Sequence, residues 1–246
     1  DIPAATRLPD WAIWRSELFG FTFEPAVIVY NADLIPPGTL PQEHLELVNY
    51  IRRNEVALDR QIGIYDLRRS GIGYLFATQD VVQGLQASRM TEVLTRANVR
   101  SYCCTSEMIA ATARGELALA VNVIGSYALA AAARDPRIGI HFMGDYNLVM
   151  SRTGFVPRTA RHPDAGRRFL SFLLDDGQAI LAAQSDLIPI LPVSVAARRQ
   201  RVDLSEYAGS FLPIKLGPGL LTYLDDRKKA NFLEGWDQPP GPSSIP

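Results

Sequence analysis

Apolar positions along this 246-residue chain fall into short continuous runs separated by stretches with helical spacing, and that alternation constrains the fold first. Residues 26–31, Ala-Val-Ile-Val-Tyr-Asn, form a near-continuous apolar run of strand length, the pattern of a strand covered on both faces. Pro36, Pro37, Gly38 and Pro41 mark a turn, and Leu45, Val48, Tyr50 and Ile51 then recur at helical spacing within residues 42–54. Residues 62–74, Ile-Gly-Ile-Tyr-Asp-Leu-Arg-Arg-Ser-Gly-Ile-Gly-Tyr, predict a strand, a polar turn and the start of a helix running over 71–85. Further helices are predicted over 90–97 and 106–114, the latter capped by Thr105 or Ser106 and stopped by Gly115, with a strand over 99–103 between them. A strand over 118–123 hands over through Gly125 and Ser126 to an Ala-rich helix over 127–133.

Beyond that point residues 141–151 read as extended, 163–174 as an amphipathic helix carried by Phe169, Leu170, Leu173 and Leu174, and 176–184 as a second helix capped by Asp176. Residues 188–193, with two prolines, read as irregular, 212–216 as extended, and 220–236 as a closing amphipathic helix. Apolar strands alternating with helices point to the α/β class with a largely parallel sheet. The last residues, 238–246, form a Pro/Ser/Gly tail that reads as disordered. The aromatic cluster Trp11, Trp14, Phe19, Phe21 and Phe23 requires a surface to pack against.

Composition narrows the function classes. Twenty-five basic and 26 acidic side chains, with no long run of either sign, leave no electrostatic footprint for nucleic acid. The longest apolar run, residues 117–133, is interrupted by Asn122, Gly125, Ser126 and Tyr127, and fits a strand running into a helix better than a membrane span. Residues 1–8 contain no apolar core of a cleavable signal. The two cysteines, Cys103 and Cys104, are adjacent, a spacing that rarely meets disulfide geometry and lacks the C-x-x-C pattern of redox pairs. They read as small buried hydrophobes, and no metal site follows.

The search for chemistry finds little that is catalytic. Gly71 and Gly73 match the first two positions of G-x-G-x-x-G, but Phe76 stands at the third, and neither G-K-[ST] nor G-x-S-x-G occurs. His44, His141 and His162 lack ligand spacing and read as surface residues. His141 keeps some functional interest from Asp145, Tyr146 and Arg152 nearby. The turn at Ser70–Gly71 reads either as an ordinary βα turn with Ser70 as its N-cap or as an anion cradle built from first-turn N–H groups. Asn122, Ser126 and Tyr127 lie at a second strand-to-helix junction, and ligands of open α/β sheets sit outside the carboxyl ends of the strands. Arg152, after a strand-like segment, can fork a carboxylate or a phosphate or form a surface ion pair.

Glu24-Pro25-Ala26-Val27-Ile28-Val29-Tyr30-Asn31 is similar to a hinge strand ending in Y-N, and 62–70 is similar to a "gkIg..d...sg" segment. Gly115-Glu116 before an apolar strand, the "A..F..FLLs..GQ..L" pattern over Ala165, Phe169, Phe172-Leu173-Leu174, Gly177-Gln178 and Leu181, and a final helix ending at Trp236 continue the likeness. Together these residues resemble the extracellular solute-binding proteins of bacterial ABC importers, in the branch that includes ferric-ion, thiamine, phosphonate and phosphoglycerate binders, with the type II periplasmic-binding-protein fold. The likeness runs from Trp11 to Trp236. Such proteins carry roughly 80 to 100 further residues ahead of this region, the first part of lobe one, on which the Trp11 to Phe23 aromatics would pack.

The resemblance implies two α/β lobes joined by a hinge. Residues 1–30 would supply hinge and a remnant of lobe one, 31–138 lobe two, 139–237 the return through the hinge that completes lobe one and packs the last helices, and 238–246 a disordered tail. It implies a non-catalytic, periplasmic, monomeric protein without cofactor or metal, its signal peptide absent from this chain, delivering a small anionic solute to an ABC permease in the inner membrane. A ligand-sensing module of a signalling system is the alternative use of the same fold. The ferric binders use two consecutive tyrosines where this chain has Gly125, Ser126 and a single Tyr127, so an organic or phosphorylated anion is implied instead. Its ligands would be Ser70, Gly71, Ile72, Asn122, Ser126 and Tyr127, with Arg15, Glu24 and Arg152 contributing from the hinge and first lobe.

Overall fold

The computed structural model describes residues 2–199 and 203–237; the predicted tail at 238–246 lies outside the described residues. In chain order the strands are β1 (Ile13–Trp14), β2 (Leu18–Gly20), β3 (Glu24–Asn31), β4 (Ile62–Tyr65), β5 (Arg100–Tyr102), β6 (Leu119–Ile124), β7 (Ile138–His141), β8 (Asn147–Met150), β9 (Thr153–Gly154) and β10 (Phe211–Pro213). The α-helices are α1 (His44–Arg53), α2 (Gly71–Val82), α3 (Leu85–Arg96), α4 (Thr105–Ala113), α5 (Gly125–Ala132), α6 (Pro163–Leu173), α7 (Asp176–Gln184) and α8 (Asp226–Asp237).

Strand β3 organises the molecule, and its sequence explains why. Every residue from Glu24 to Asn31 is buried. Val27 and Val29 face one core with Phe76, Met108, Ala120 and Val123, while Ile28 and Tyr30 face another with Leu47, Val48, Ile51, Ile62 and Val93. An unbroken apolar run is what a strand sandwiched between two helical layers requires. Its first residues, Glu24 and Pro25, pair antiparallel with β8, and from Ala26 onward it pairs with β6 and β7. One strand thus passes from one set of partners to the next, in the order β10-β8-β3-β6-β4-β5. Asn31 ends it because its Nδ2 donates to Thr112 O at 2.7 Å while its Oδ1 accepts the Asp33 N–H. The fold is α/β, but the sheet is mixed and not largely parallel: β4 runs parallel to β5 and β6, and β10 to β8, while the central β3 is antiparallel to β6, β7 and β8.

A third cluster holds Ala4, Ala5, Leu8, Phe19, Leu170, Leu174 and Leu191 beside α6 and α7. Here the Gly177-Gln178 pair acquires a physical reason. A Cβ at Gly177 would meet Phe172 O, and Gln178, 2% exposed, donates to Phe21 O and Leu173 O while its Oε1 accepts the N–H groups of Ile190 and Leu191. One side chain ties four backbone groups from three segments together.

Several expectations are corrected. The helix predicted to 85 ends at Val82, because Gly84 turns the chain at φ +110, a conformation that favours glycine, and α3 then starts at Leu85. Residues 220–236 are not one helix, since a 3-10 segment, Pro218–Leu224, precedes α8. The aromatics near the start are not left exposed. Phe19 is buried, Trp11 packs edge-on against Phe23, and Phe23 against Phe211 of β10. On α6 the buried residues are Leu170 and, just past its end, Leu174; Phe169 is 61% exposed. The apolar stretch 117–133 resolves into β6 and α5, and no helix among the described residues is long and apolar enough to cross a membrane.

Candidate functional site

Because β4, β5 and β6 run parallel, Tyr65, Tyr102 and Ile124 end at one edge of the sheet, and the turns that follow feed α2, α4 and α5. The turns are cross-linked. Asp66 N–H donates to Tyr102 O at 2.8 Å, and the Tyr65 hydroxyl lies 2.6 Å from Thr105 Oγ1 at the start of α4. Burial pushes the Tyr65 phenol up to about 12, so it stays a neutral hydrogen-bonding group.

Ser70 is the N-cap of α2. Its Oγ accepts the Gly73 N–H at 3.2 Å, and the side chain is buried, so its hydroxyl serves the helix and the remaining anion donors are the first-turn N–H groups of Gly71 and Ile72. Gly71 is exposed and Ile72 half-buried. Glycine is required at 73, where any Cβ would overlap the Tyr65 side chain. The helix can approach β4 only there.

At the neighbouring β6–α5 junction, Gly125 packs under Pro25 of β3, where a Cβ would sit 2.9 Å from Pro25 O. Ser126, 1% exposed, interacts electrostatically with the carboxyl of Glu24, which is itself fully buried. Arg152 reaches Glu24 Oε1 through Nε at 2.9 Å, and its guanidinium carbon lies 5.6 Å from the centre of the Tyr127 ring. Burial raises the Glu24 pKa, against Ser126 and Arg152, which lower it. Tyr127 is 45% and the Arg152 side chain 31% exposed, so both reach solvent. The structure therefore brings Glu24, Ser126, Tyr127 and Arg152 into one cluster at the same sheet edge as the Ser70–Ile72 turn.

A crystal structure of the substrate-binding protein of an ABC transporter from Agrobacterium tumefaciens is 33% identical to this chain, superposes with a TM-score of 0.84, and is matched over 97% of this chain and 70% of its own length. The chain belongs to the ABC-transporter substrate-binding proteins. Its fold is the type II periplasmic-binding-protein fold. Iron-bound HitA from Pseudomonas aeruginosa (TM-score 0.70, 18% identity, 96% of this chain and 74% of that one) and the Atu4243–GABA receptor (0.69, 14%, 100% and 76%) share that fold. No family model and no curated protein matches the sequence.

Two of the expected ligand residues of this substrate-binding protein stand apart from the cluster. Arg15 sits in the β1–β2 turn with φ +52, its guanidinium stacked on Trp14 at 5.0 Å. Asn122 is the extra residue of a β-bulge, where Val27 pairs with Val123 and Val29 with Ala120. It takes φ +58, which asparagine tolerates, and its Nδ2 donates to Asp80 Oδ2 at 2.7 Å.

Asp80 was not foreseen. It also accepts from the Tyr146 hydroxyl at 3.1 Å, Tyr146 stacks on His44 at 4.0 Å, and His44 Nδ1 meets Asp145 at 2.8 Å. Burial raises the Asp80 pKa, opposed by Asn122, His44 and Tyr146. These groups border a cavity of about 50 Å³ walled by Tyr65, Met90, Leu94 and Trp236. The signal was available: Asp80 is the single charged residue of α2, GIGYLFATQDVV. His44 is thus hydrogen-bonded to Asp145 and stacked on Tyr146, and not a plain surface residue. His141 is half-buried and bonded to Pro41 O at 2.7 Å, which leaves it a structural role, and burial lowers its pKa.

The cysteines correct the sequence reading most sharply. Cys103 and Cys104 are joined in a disulfide, and they are not buried: Cys103 is half-exposed and Cys104 exposed, in the turn between β5 and α4. Together with Glu107 they form a compact group of sulfur and carboxylate atoms, but each sulfur is spent on the other.

Proposed function

We propose that this substrate-binding protein captures a small anionic solute, an organic acid or a phosphonate or phosphate ester, between two lobes and presents it to an ABC permease. Residues 31–138 would form lobe two. Residues 1–30 and 139–237 would form the hinge and the part of lobe one present here. The observation that carries the reading is the convergence, at one sheet edge, of the uncapped first-turn N–H groups of α2 with a half-exposed arginine that gives Glu24 only its Nε. Backbone amides at a helix start and a guanidinium fork are both donors suited to carboxylate or phosphate oxygens.

The same geometry argues against a ferric ion. A tyrosinate ligand would have to form at Tyr127 beneath the Arg152 guanidinium, and a second cation there would be repelled. Passage of β3 from β8 to β6 and β7 supplies a strand about which two lobes can pivot. An extracytoplasmic site of action fits both the company of this fold and the exposed disulfide.

The test is a thermal-shift panel of phosphonates, phosphoglycerates, carboxylates and Fe(III). A ligand present at about 100 times its Kd adds about 2.7 kcal/mol of stability, a shift of roughly 5–10 °C for a chain of this size. Stabilisation by one or more anions is the expected result. No shift with any anion, or a shift with Fe(III) alone, overturns the assignment.

A further inference from the structure

We propose that the Cys103–Cys104 disulfide is a reversible thiol-exchange site whose oxidation state sets the order of the β5–α4 turn and, through it, of the α2 turn beside it. The bond does not have the character of a structural staple. Stabilisation by a cross-link grows with the length of chain it encloses, and this one encloses a single peptide unit, so its effect on global stability is the least a disulfide can have. Its effect is local, and the locality is informative.

Three features point to exchange chemistry. Cys104 is exposed, giving an external thiolate access to the bond. Cys104 is also the N-cap of α4: its carbonyl accepts the N–H groups of Glu107 and Met108, while its side chain, tied to Cys103, makes no cap hydrogen bond. Once released, a Cys104 thiolate takes the place that an N-cap oxygen normally fills, stabilised by first-turn N–H groups and the helix dipole. Cys103 Sγ lies 3.5 Å from Glu107 Oε2, so the other sulfur, once protonated, has a carboxylate acceptor at hand. Each reduced sulfur therefore has a favourable partner.

The step needs a dithiol reductant. Its thiolate attacks one sulfur of the pair, the S–S bond breaks, and the other cysteine leaves as a thiolate. The second thiol of the reductant, deprotonated, then attacks its own sulfur in the mixed disulfide and frees the remaining cysteine. Two electrons pass to the protein, the reductant becomes a disulfide, and one of its two protons ends on Cys103 while the other is released to solvent and Cys104 is held as thiolate.

Opening the ring is transmitted by short contacts. Thr105, next in sequence, holds the Tyr65 hydroxyl at 2.6 Å, and Tyr65 leaves no room for a side chain at Gly73 in the first turn of α2. Loosening Thr105 frees Tyr65 and with it the turn at 70–73. A consequence for solute affinity rests on the anion reading of that turn; the order of the turn itself does not.

The experiment is hydrogen exchange read by mass spectrometry on the whole chain, oxidised and after treatment with dithiothreitol under native conditions, with alkylation to count free thiols. The expected result is two alkylated cysteines in a still-folded protein, with amide exchange at 104–108 and 70–74 faster by about fivefold or more and the rest unchanged. A Cys103→Ser, Cys104→Ser double variant should exchange like the reduced protein with or without reductant. A disulfide that yields only when the whole chain unfolds, or exchange at both turns that ignores reduction, overturns the proposal. If the exchange responds while no anion ever stabilises the protein, the redox site stands and the anion reading falls.

Discussion

Replacing Arg152 with methionine keeps most of the aliphatic stem and removes the guanidinium from a carboxyl that is 0% exposed. Glu24 then retains only its Ser126 contacts. Breaking a fully buried pair costs about 3–5 kcal/mol, but Arg152 is 31% exposed and solvent already weakens its attraction, which brings the expected loss to about 2–3 kcal/mol. Protonation of Glu24 limits the loss further in acid. Burial raises its folded pKa above the unfolded value, so the folded state holds this proton more tightly, and the associated stability is present in acid and lost as pH rises through the folded pKa. Removing the arginine raises that pKa more. The deficit of Arg152→Met relative to the parent should therefore be smaller at an acid pH than at an alkaline one, each unit of added shift being worth about 1.4 kcal/mol.

Urea unfolding at the two pH values, with an unchanged m-value, measures it directly. At the higher pH the melting temperature should drop by roughly 5–10 °C. Glu24→Gln keeps an oxygen acceptor for Arg152 Nε and should cost only about 1 kcal/mol, with no such growth toward alkaline pH. A deficit for Arg152→Met below about 0.5 kcal/mol, or one equal at both pH values, refutes the reasoning.

Two further predictions follow from close packing and from the second polar cluster. Gly73→Ala must displace Tyr65 and should cost about 1–3 kcal/mol, whereas Gly71→Ala, with nothing within 4 Å of the new Cβ, should change the urea midpoint by less than about 0.5 kcal/mol; equal losses would contradict the contact. Asp80, whose folded pKa is also raised, makes the parent lose stability as pH rises through that value. Asp80→Asn should flatten this part of the stability-pH curve while costing about 1 kcal/mol for a mismatched hydrogen bond to Asn122 or Tyr146, and an unchanged curve would show that Asp80 carries no such titration.

How far the fold could be read from the residues depended on how local the cause was. The run 26–31 announced a doubly covered strand because five consecutive apolar residues closed by Asn31 admit little else, and β3 is buried throughout. Ser70 announced the start of α2 for the same local reason. The three-stranded sheet of β1, β2 and β9 stayed invisible. Its strands are two or three residues long, and β9 lies some 130 residues from its partner. The bulge at Asn122 and the reach from there to Asp80 depend on the register between β3 and β6, which no window of sequence contains. Arg152 meets Glu24 across 128 positions; Arg152 was singled out by its place after a strand-like segment and Glu24 only through family likeness, and the contact between them was not foreseen. The cysteines misled because adjacency argues against a bond in general, yet the two are bonded here, between β5 and α4.

The claim on which the account rests is that negative charge on the solute is what this protein recognises. Isothermal titration of the anion that stabilises it most, set beside the uncharged amide or ester of the same molecule, tests that directly. The account predicts saturable binding of the anion and a loss of roughly a hundredfold or more for the neutral analogue, the worth of about two charge-assisted hydrogen bonds. Equal affinity for the two forms, or tighter binding of the neutral one, contradicts it.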